Sequence, residues 1–127
     1  MQNESLPYQF YIAIDDDDIN NLVCQKVIEK MNPNAEVVCF TSPSKALDYL
    51  KNTPDNQPHL IILDINMPEI DGWEFLNRYQ KFENPASVVM LSSSKDESDI
   101  KKSRTYNIVK GYIEKPLNIE KLKSYVF

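Results

Sequence analysis

Five short apolar runs punctuate the chain: Phe10-Tyr-Ile-Ala-Ile14, Glu36-Val-Val-Cys-Phe40, Leu60-Ile-Ile-Leu63, Val88-Val-Met-Leu91 and the weaker Gly111-Tyr-Ile-Glu114. Runs without in/out alternation predict strands covered on both faces, which is the habit of parallel sheets. Helix-length segments separate them. Asn20 to Met31 places Leu22, Val23, Val27 and Met31 on one apolar stripe, with Ile19 just before it. Ser42-Pro43 reads as an N-cap followed by proline at the first helical position, after which Ala46, Leu47 and Leu50 face inward. Gly72 to Phe82 offers Phe75, Leu76, Tyr79 and Phe82 to the core. Asp96 to Tyr106 is mostly polar, with Ile100 nearly alone, so that helix should pack weakly. Ile119 to Val126 closes the chain with Leu122 and Tyr125.

This order predicts five βα units. Parallel strands need crossovers, and crossovers are almost always right-handed, so a five-stranded sheet with helices on both faces follows. Ligands of such sheets bind at the carboxyl ends of the strands, at a topological switch point. The loops that matter therefore follow Ile14, Leu63, Leu91 and Glu114.

The chain has 127 residues, which fits one domain over residues 8–127 behind a polar tail of residues 1–7. Only 2 glycines argue against a turn-rich sandwich. A net charge of -5 makes phosphate-backbone binding a poor fit, so no direct nucleic-acid partner is expected. The N-terminus lacks the apolar run of a signal peptide, and no segment approaches the ~20 apolar residues of a membrane span. A soluble, cytoplasmic protein with no membrane partner is expected. Cys24 and Cys39 form no CxxC pair and read as small reduced core residues. With His59 the one histidine, a structural zinc site is excluded.

The first loop begins Asp15-Asp16-Asp17-Asp18, the third strand ends in Asp64, the fourth in Ser92-Ser93-Ser94 and the fifth in Lys115-Pro116. Carboxylates, hydroxyls and one ammonium should thus converge on one edge of the sheet. Three close carboxylates repel, so one must take a proton or the group must take a cation. Oxygen ligands of this kind select Mg²⁺, Mn²⁺ or Ca²⁺. A carboxylate can also act as a nucleophile and form an aspartyl phosphate, a transfer that needs charge neutralisation above all. Each feature has a plainer reading by itself. An Asp run before a helix serves capping and the helix dipole. A serine cluster is often a loop cap, and a lysine at a strand end is often solvated. Asp64, an acid closing a fully apolar strand, resists the plain reading.

Ile14-Asp-Asp-Asp-Asp-Ile-Asn-Asn21, Leu63-Asp-Ile-Asn-Met-Pro68 with Asp71-Gly72, and Gly111-Tyr-Ile-Glu-Lys-Pro116 together resemble the receiver domain of two-component response regulators. The resemblance runs from about Tyr8 to Phe127. It implies a doubly wound, flavodoxin-like (βα)5 fold with strand order 2-1-3-4-5. It implies Asp64 as phosphoacceptor, Asp15 and Asp16 as the acidic pair that holds Mg²⁺, and the backbone carbonyl of Asn66 as a further ligand. Asp16 would bind directly and Asp15 largely through water. Four consecutive Asp residues leave the pair's register open by one position; Asp15 and Asp16 align Ile19-Asn20-Asn21 with the start of the family's first helix. Lys115 would pair with the phosphoryl group, Ser92 would carry the hydroxyl that moves to it, and Tyr112 would be the aromatic that turns inward on activation. A cis Lys115-Pro116 bond is implied too. Asn66 and Ser94 flank the site where dephosphorylation rate would be tuned.

The resemblance further implies a phosphorylation switch rather than an enzyme, with Mg²⁺-dependent self-phosphorylation from small donors and auto-dephosphorylation. Its donor would be a sensor histidine kinase or a histidine phosphotransfer protein. A downstream protein would read the face made by the fourth helix, fifth strand and fifth helix. The chain ends soon after its last helix, so no output domain is expected to follow. Two rivals remain: a degenerate interaction module, and a Mg²⁺-dependent phosphohydrolase. The second usually needs an acid two residues after the nucleophile, where Asn66 stands. Trp73 and Phe75 read as packing residues, and His59 as a strand-edge residue.

Overall fold

A computed structural model of the chain describes residues 9–126. The proposed tail, residues 1–7, lies outside the described residues. Five strands, β1 (Phe10–Ile14), β2 (Glu36–Phe40), β3 (Leu60–Asp64), β4 (Ser87–Ser92) and β5 (Val109–Glu114), alternate with five helices. The helices are α1 (Asp18–Met31), α2 (Pro43–Asn52), α3 (Gly72–Tyr79), α4 (Glu97–Ser103) and α5 (Ile119–Lys123). The strands form one parallel sheet in the order β2-β1-β3-β4-β5. The expected fold is therefore observed, strand order included.

Strand residues alternate between two cores, and both are apolar, which is why no polar alternation shows in the sequence. Phe10, Ile12, Ile14, Ile61, Leu63, Val88 and Met90 meet Ala46, Leu47 and Leu50 of α2 and Phe75, Leu76 and Tyr79 of α3. Tyr11, Ala13, Leu60, Ile62, Val89 and Leu91 meet Cys24 and Ile28 of α1 and Leu122 of α5 on the other face. The Ser42 hydroxyl caps α2 by accepting from the Lys45 N–H, with Pro43 beginning the helix. Among the described residues no helix is long and apolar enough to cross a membrane.

Helix α1 corrects the expected inward stripe. Asn21, Cys24 and Ile28 face the sheet, while Ile19 is 71% and Leu22 53% exposed and Val23 is exposed beside them. Val27 and Met31 pack only at the margin of the core. The helix is rotated because Asn21 is anchored at its sheet side: its Nδ2 donates to the carbonyls of Asp15 at 2.9 Å and Phe40 at 3.1 Å. The later helices are shorter than expected. Phe82 lies past the end of α3 but still packs edge-on against Tyr79, and Val126, past α5, is buried in the core.

Helix α3 starts hard against the end of β3, where its Gly72 N–H donates to the Ile65 carbonyl at 2.8 Å. A Cβ on Gly72 would come 2.8 Å from the Asp64 carbonyl oxygen and 2.9 Å from the Ile65 Cα. Both are backbone atoms and cannot swing away. Gly72→Ala should therefore cost roughly 1–3 kcal/mol, read as a lowered urea midpoint. An unchanged midpoint would refute this close approach.

Candidate functional site

The chain leaves β1 at Ile14 and enters the acidic run with its backbone already fixed. The Asp15 N–H donates to the Phe40 carbonyl of β2 at 3.1 Å, and the Asn21 amide holds the Asp15 carbonyl. The run then divides its labour. Asp15 is buried, and its Oδ1 accepts from the Asp17 N–H at 2.9 Å. Asp17 is the N-cap of α1, accepting from the Ile19 N–H at 2.9 Å, and Asp18 sits exposed in the first turn. The capping reading thus holds for Asp17 and Asp18. Carboxylate oxygens of Asp15, Asp16 and Asp64 lie within 4.8 Å of one another.

Lys115 enters from the opposite edge of the sheet. Its Nζ lies 3.0 Å from Asp15 Oδ2 and 3.1 Å from Asp64 Oδ1, so one ammonium is shared by two buried carboxylates. Three carboxylates and one ammonium leave an excess of negative charge. Burial, and then repulsion from Asp15, push the Asp64 carboxyl from 3.8 up to about 6, although Lys115 pulls it down. For Lys115 burial alone would favour the neutral amine, but its bonds and attraction to Asp15 and Asp64 outweigh that and hold it charged. A small divalent cation fits this donor set. It would relieve the repulsion, and all three side chains offer the hard oxygens it prefers.

Ser92 ends β4 one residue beyond Leu91, the register partner of Asp64, and is buried. Its hydroxyl is turned into its own loop, accepting from the Ser94 N–H at 3.1 Å. The pattern repeats along the loop. Ser94 Oγ accepts from the Asp96 N–H at 3.0 Å, and Asp96 Oδ1 accepts from the Ser98 N–H at 2.9 Å, capping α4. Tyr112 is half-buried on β5, and its hydroxyl donates to the Ser94 carbonyl at 2.8 Å. Asn66 sits exposed in the loop after Asp64. The Lys115-Pro116 peptide bond is cis.

The fold therefore brings Asp15, Asp16, Asp64 and Lys115 into one cluster, with Ser92 and Tyr112 linked through the neighbouring loop. Asn21 enters the sequence reading only as part of a motif and with no role of its own, because an asparagine early in a helix gives no signal of which carbonyls it will reach. His59 serves the strand edge, its Nδ1 accepting from the Phe10 N–H at 3.0 Å. Phe75 is buried, and Trp73 stacks on Tyr106. Both cysteines are free thiols, and burial pushes Cys24 up to about 12, in keeping with an unreactive core residue.

Residues 12–127 match the family model described as the response regulator receiver domain. The chain is similar to a two-component response regulator from Cytophaga hutchinsonii, with 31% identity and a TM-score of 0.86 over 95% of this chain and 94% of that one. It is also similar to the phosphorylated cyanobacterial phytochrome response regulator RcpA, with 28% identity and a TM-score of 0.76 over 94% of this chain and 89% of that one. The two-component response regulator ARR12 of Arabidopsis thaliana is 31% identical over 89% of this chain, which spans only 18% of that protein.

In metal-free buffer the raised Asp64 value makes the folded state bind its proton more tightly than the unfolded state does. The contribution of Asp64 to stability is then fully present below the unfolded value and is lost as pH rises through the interval from 3.8 to about 6. Asp64→Asn removes this loss. The variant should exceed wild type by on the order of 2 kcal/mol near neutral pH, and its advantage should vanish in acid. Urea unfolding with a chelator present measures this, and equal stability at neutral pH would show that Asp64 carries no such strain.

Proposed function

The chain belongs to the response regulator receiver domain family, and from that premise we propose that it is a Mg²⁺-dependent switch phosphorylated on Asp64. The observation that carries the proposal is the ammonium of Lys115 shared between Asp15 and Asp64, with the Asp16 carboxylate beside them at the end of the sheet. A carboxylate oxygen of Asp64 attacks the phosphorus of the donor. The donor's P–N bond, in a phosphohistidine, or P–O bond, in an acyl phosphate, breaks, and the leaving group departs with the electron pair. Asp15, Asp16, Asp64 and the Asn66 carbonyl would hold Mg²⁺, which when bound neutralises charge on the transferring group. Lys115 supplies the second positive charge.

Once the phosphoryl group is in place, the Ser92 side chain can swing its hydroxyl over to donate to the phosphoryl oxygens, which carries Oγ away from the Ser94 N–H. Releasing Ser94 loosens the loop that also holds Tyr112 and caps α4. The short polar helix α4 costs little to move. A groove of about 380 Å³ lies beside it, lined by Ile100, Arg104, Lys110, Gly111, Tyr112 and Tyr125, and it supports the face of α4, β5 and α5 as the surface that a downstream protein reads. The donor is a sensor histidine kinase or a histidine phosphotransfer protein. The outward apolar stripe of Ile19, Leu22 and Val23, one residue past the acidic run, supports a protein donor approaching over this edge. The setting of this chemistry is the cytoplasm. Asn66 has no titrating group for a phosphohydrolase's acid/base step, which favours the switch.

Incubation with Mg²⁺ and acetyl phosphate should add one phosphoryl group to wild type and none to Asp64→Asn, as read by intact mass. An unmodified wild-type protein that is demonstrably folded would count against the switch. Millimolar Mg²⁺ should stabilise wild type by about 1–2 kcal/mol through preferential binding to the folded state, raising its melting temperature. Asp16→Ala should lose that response, and the same rise in both proteins would remove Asp16 from the metal site.

A further inference from the structure

Lys115 acts far from where its backbone lies. It follows β5, an edge strand, yet its Nζ reaches Asp64 at the end of β3 and Asp15 beyond β1. Strands are spaced about 4.7–4.9 Å apart, so the side chain must extend inward across β4 to reach either acid. An extended lysine has little spare length, and any outward drift of its backbone withdraws the ammonium from the site.

Two contacts oppose that drift. On the inner side the Lys115 N–H donates to the Ser92 carbonyl at 2.7 Å, which continues the ladder between β4 and β5. On the outer side no strand follows among the described residues, and Pro116 offers no N–H. There the Nζ of Lys121, on α5, donates to the Glu114 carbonyl at 2.9 Å and to the Pro116 carbonyl at 3.1 Å. One ammonium thus grips the carbonyls immediately before and after Lys115. Lys121 is itself well placed: its N–H donates to the N-cap Asn118 side chain at 2.9 Å, and its neighbour Leu122 is fully buried.

We propose that Lys121 is a positioning residue for Lys115, clamping the β5–α5 loop so that the Lys115 ammonium meets the phosphoryl group on Asp64. The inference rests on the phosphoacceptor reading of Asp64. Lys121 touches neither acid nor phosphate; it sets where Lys115 starts from. A lysine near the start of a short helix otherwise reads as a solvated charge, and its two carbonyl bonds explain why a charged donor stands there.

The test uses Lys121→Met, which keeps length and loses every donor, Lys121→Gln, which keeps an amide, and Lys121→Arg. Displacing a reacting group by a fraction of an ångström slows transfer markedly. Lys121→Met should therefore lower the rate of phosphorylation by acetyl phosphate, and the affinity for beryllofluoride in Mg²⁺, by about tenfold. Lys121→Gln should fall between it and wild type, and Lys121→Arg should recover most of the loss. Affinity for Mg²⁺ alone should not weaken, because Asp15 and Asp16 are untouched. In a Lys115→Met background the substitution Lys121→Met should have no further effect on either phosphoryl readout, since it acts through Lys115. A lower melting temperature with wild-type phosphorylation and beryllofluoride binding would reduce Lys121 to a structural strut and overturn the proposal. So would a full additional loss in the Lys115→Met background. Failure of wild type itself to accept a phosphoryl group or bind beryllofluoride would instead sink the reading of Asp64.

Discussion

One ammonium between two buried carboxylates governs this molecule's functional edge. Burying Asp15 and Asp64 together would be prohibitive without Lys115, since removing one partner of a buried ion pair leaves an uncompensated charge. The pairing is nevertheless incomplete, because Asp16 brings a third carboxylate and the ammonium is single. Repulsion between the carboxylates remains in the folded protein, and an added cation would relieve it. The rest of the fold exists to keep these groups close at that cost, and the two apolar faces of the sheet supply the stability that permits it.

Rigid and soft parts of the structure are divided accordingly. Asp15, Asp64, Ser92 and Lys115 are carried by strand ends, where backbone ladders and fully buried neighbours hold them. The segment from Ser92 to Ser98 is built instead from local side-chain-to-backbone bonds, largely exposed to water, and such segments open at low cost. Helix α4 hangs between this segment and an aromatic clasp at its other end. There Trp73 stacks on Tyr106, Lys102 lies 4.8 Å from the centre of the Trp73 ring, and the Tyr106 hydroxyl donates to Asn77. A helix held firmly at one end and lightly at the other is suited to pivot. The light end is the one tied to Ser92.

Helix α1 shows how a polar contact can overrule an apolar pattern. Turning Ile19, Leu22 and Val23 inward would have buried more hydrocarbon, but it would have pulled Asn21 off the two carbonyls that end β1 and β2. The Phe40 carbonyl would keep the Asp15 N–H, but the Asp15 carbonyl, under the acidic loop, would lose its amide partner, and leaving a buried carbonyl unpaired costs about 1–3 kcal/mol. In the rotated position Cys24 is buried in the same core as Ala13. The result is an apolar surface next to the acidic edge.

The order of elements, the parallel sheet and the edge of it on which acids and a lysine gather were legible in the sequence. Each rests on local facts: apolar runs of strand length, caps such as Ser42-Pro43, and an acid closing an apolar strand at Asp64. The joining of Asp15, Asp64 and Lys115 at hydrogen-bonding distance belonged to tertiary structure, as did the bonds by which Asp15 accepts from Asp17 and Asp17 caps the first helix. So did the outward face of α1 and the roles of Asn21 and Lys121. The physical reason is common to all of these. A pattern of polarity says which residues prefer burial or water. Which carbonyl an amide or ammonium will reach depends on chain segments distant in sequence, and those meet only once the sheet has formed.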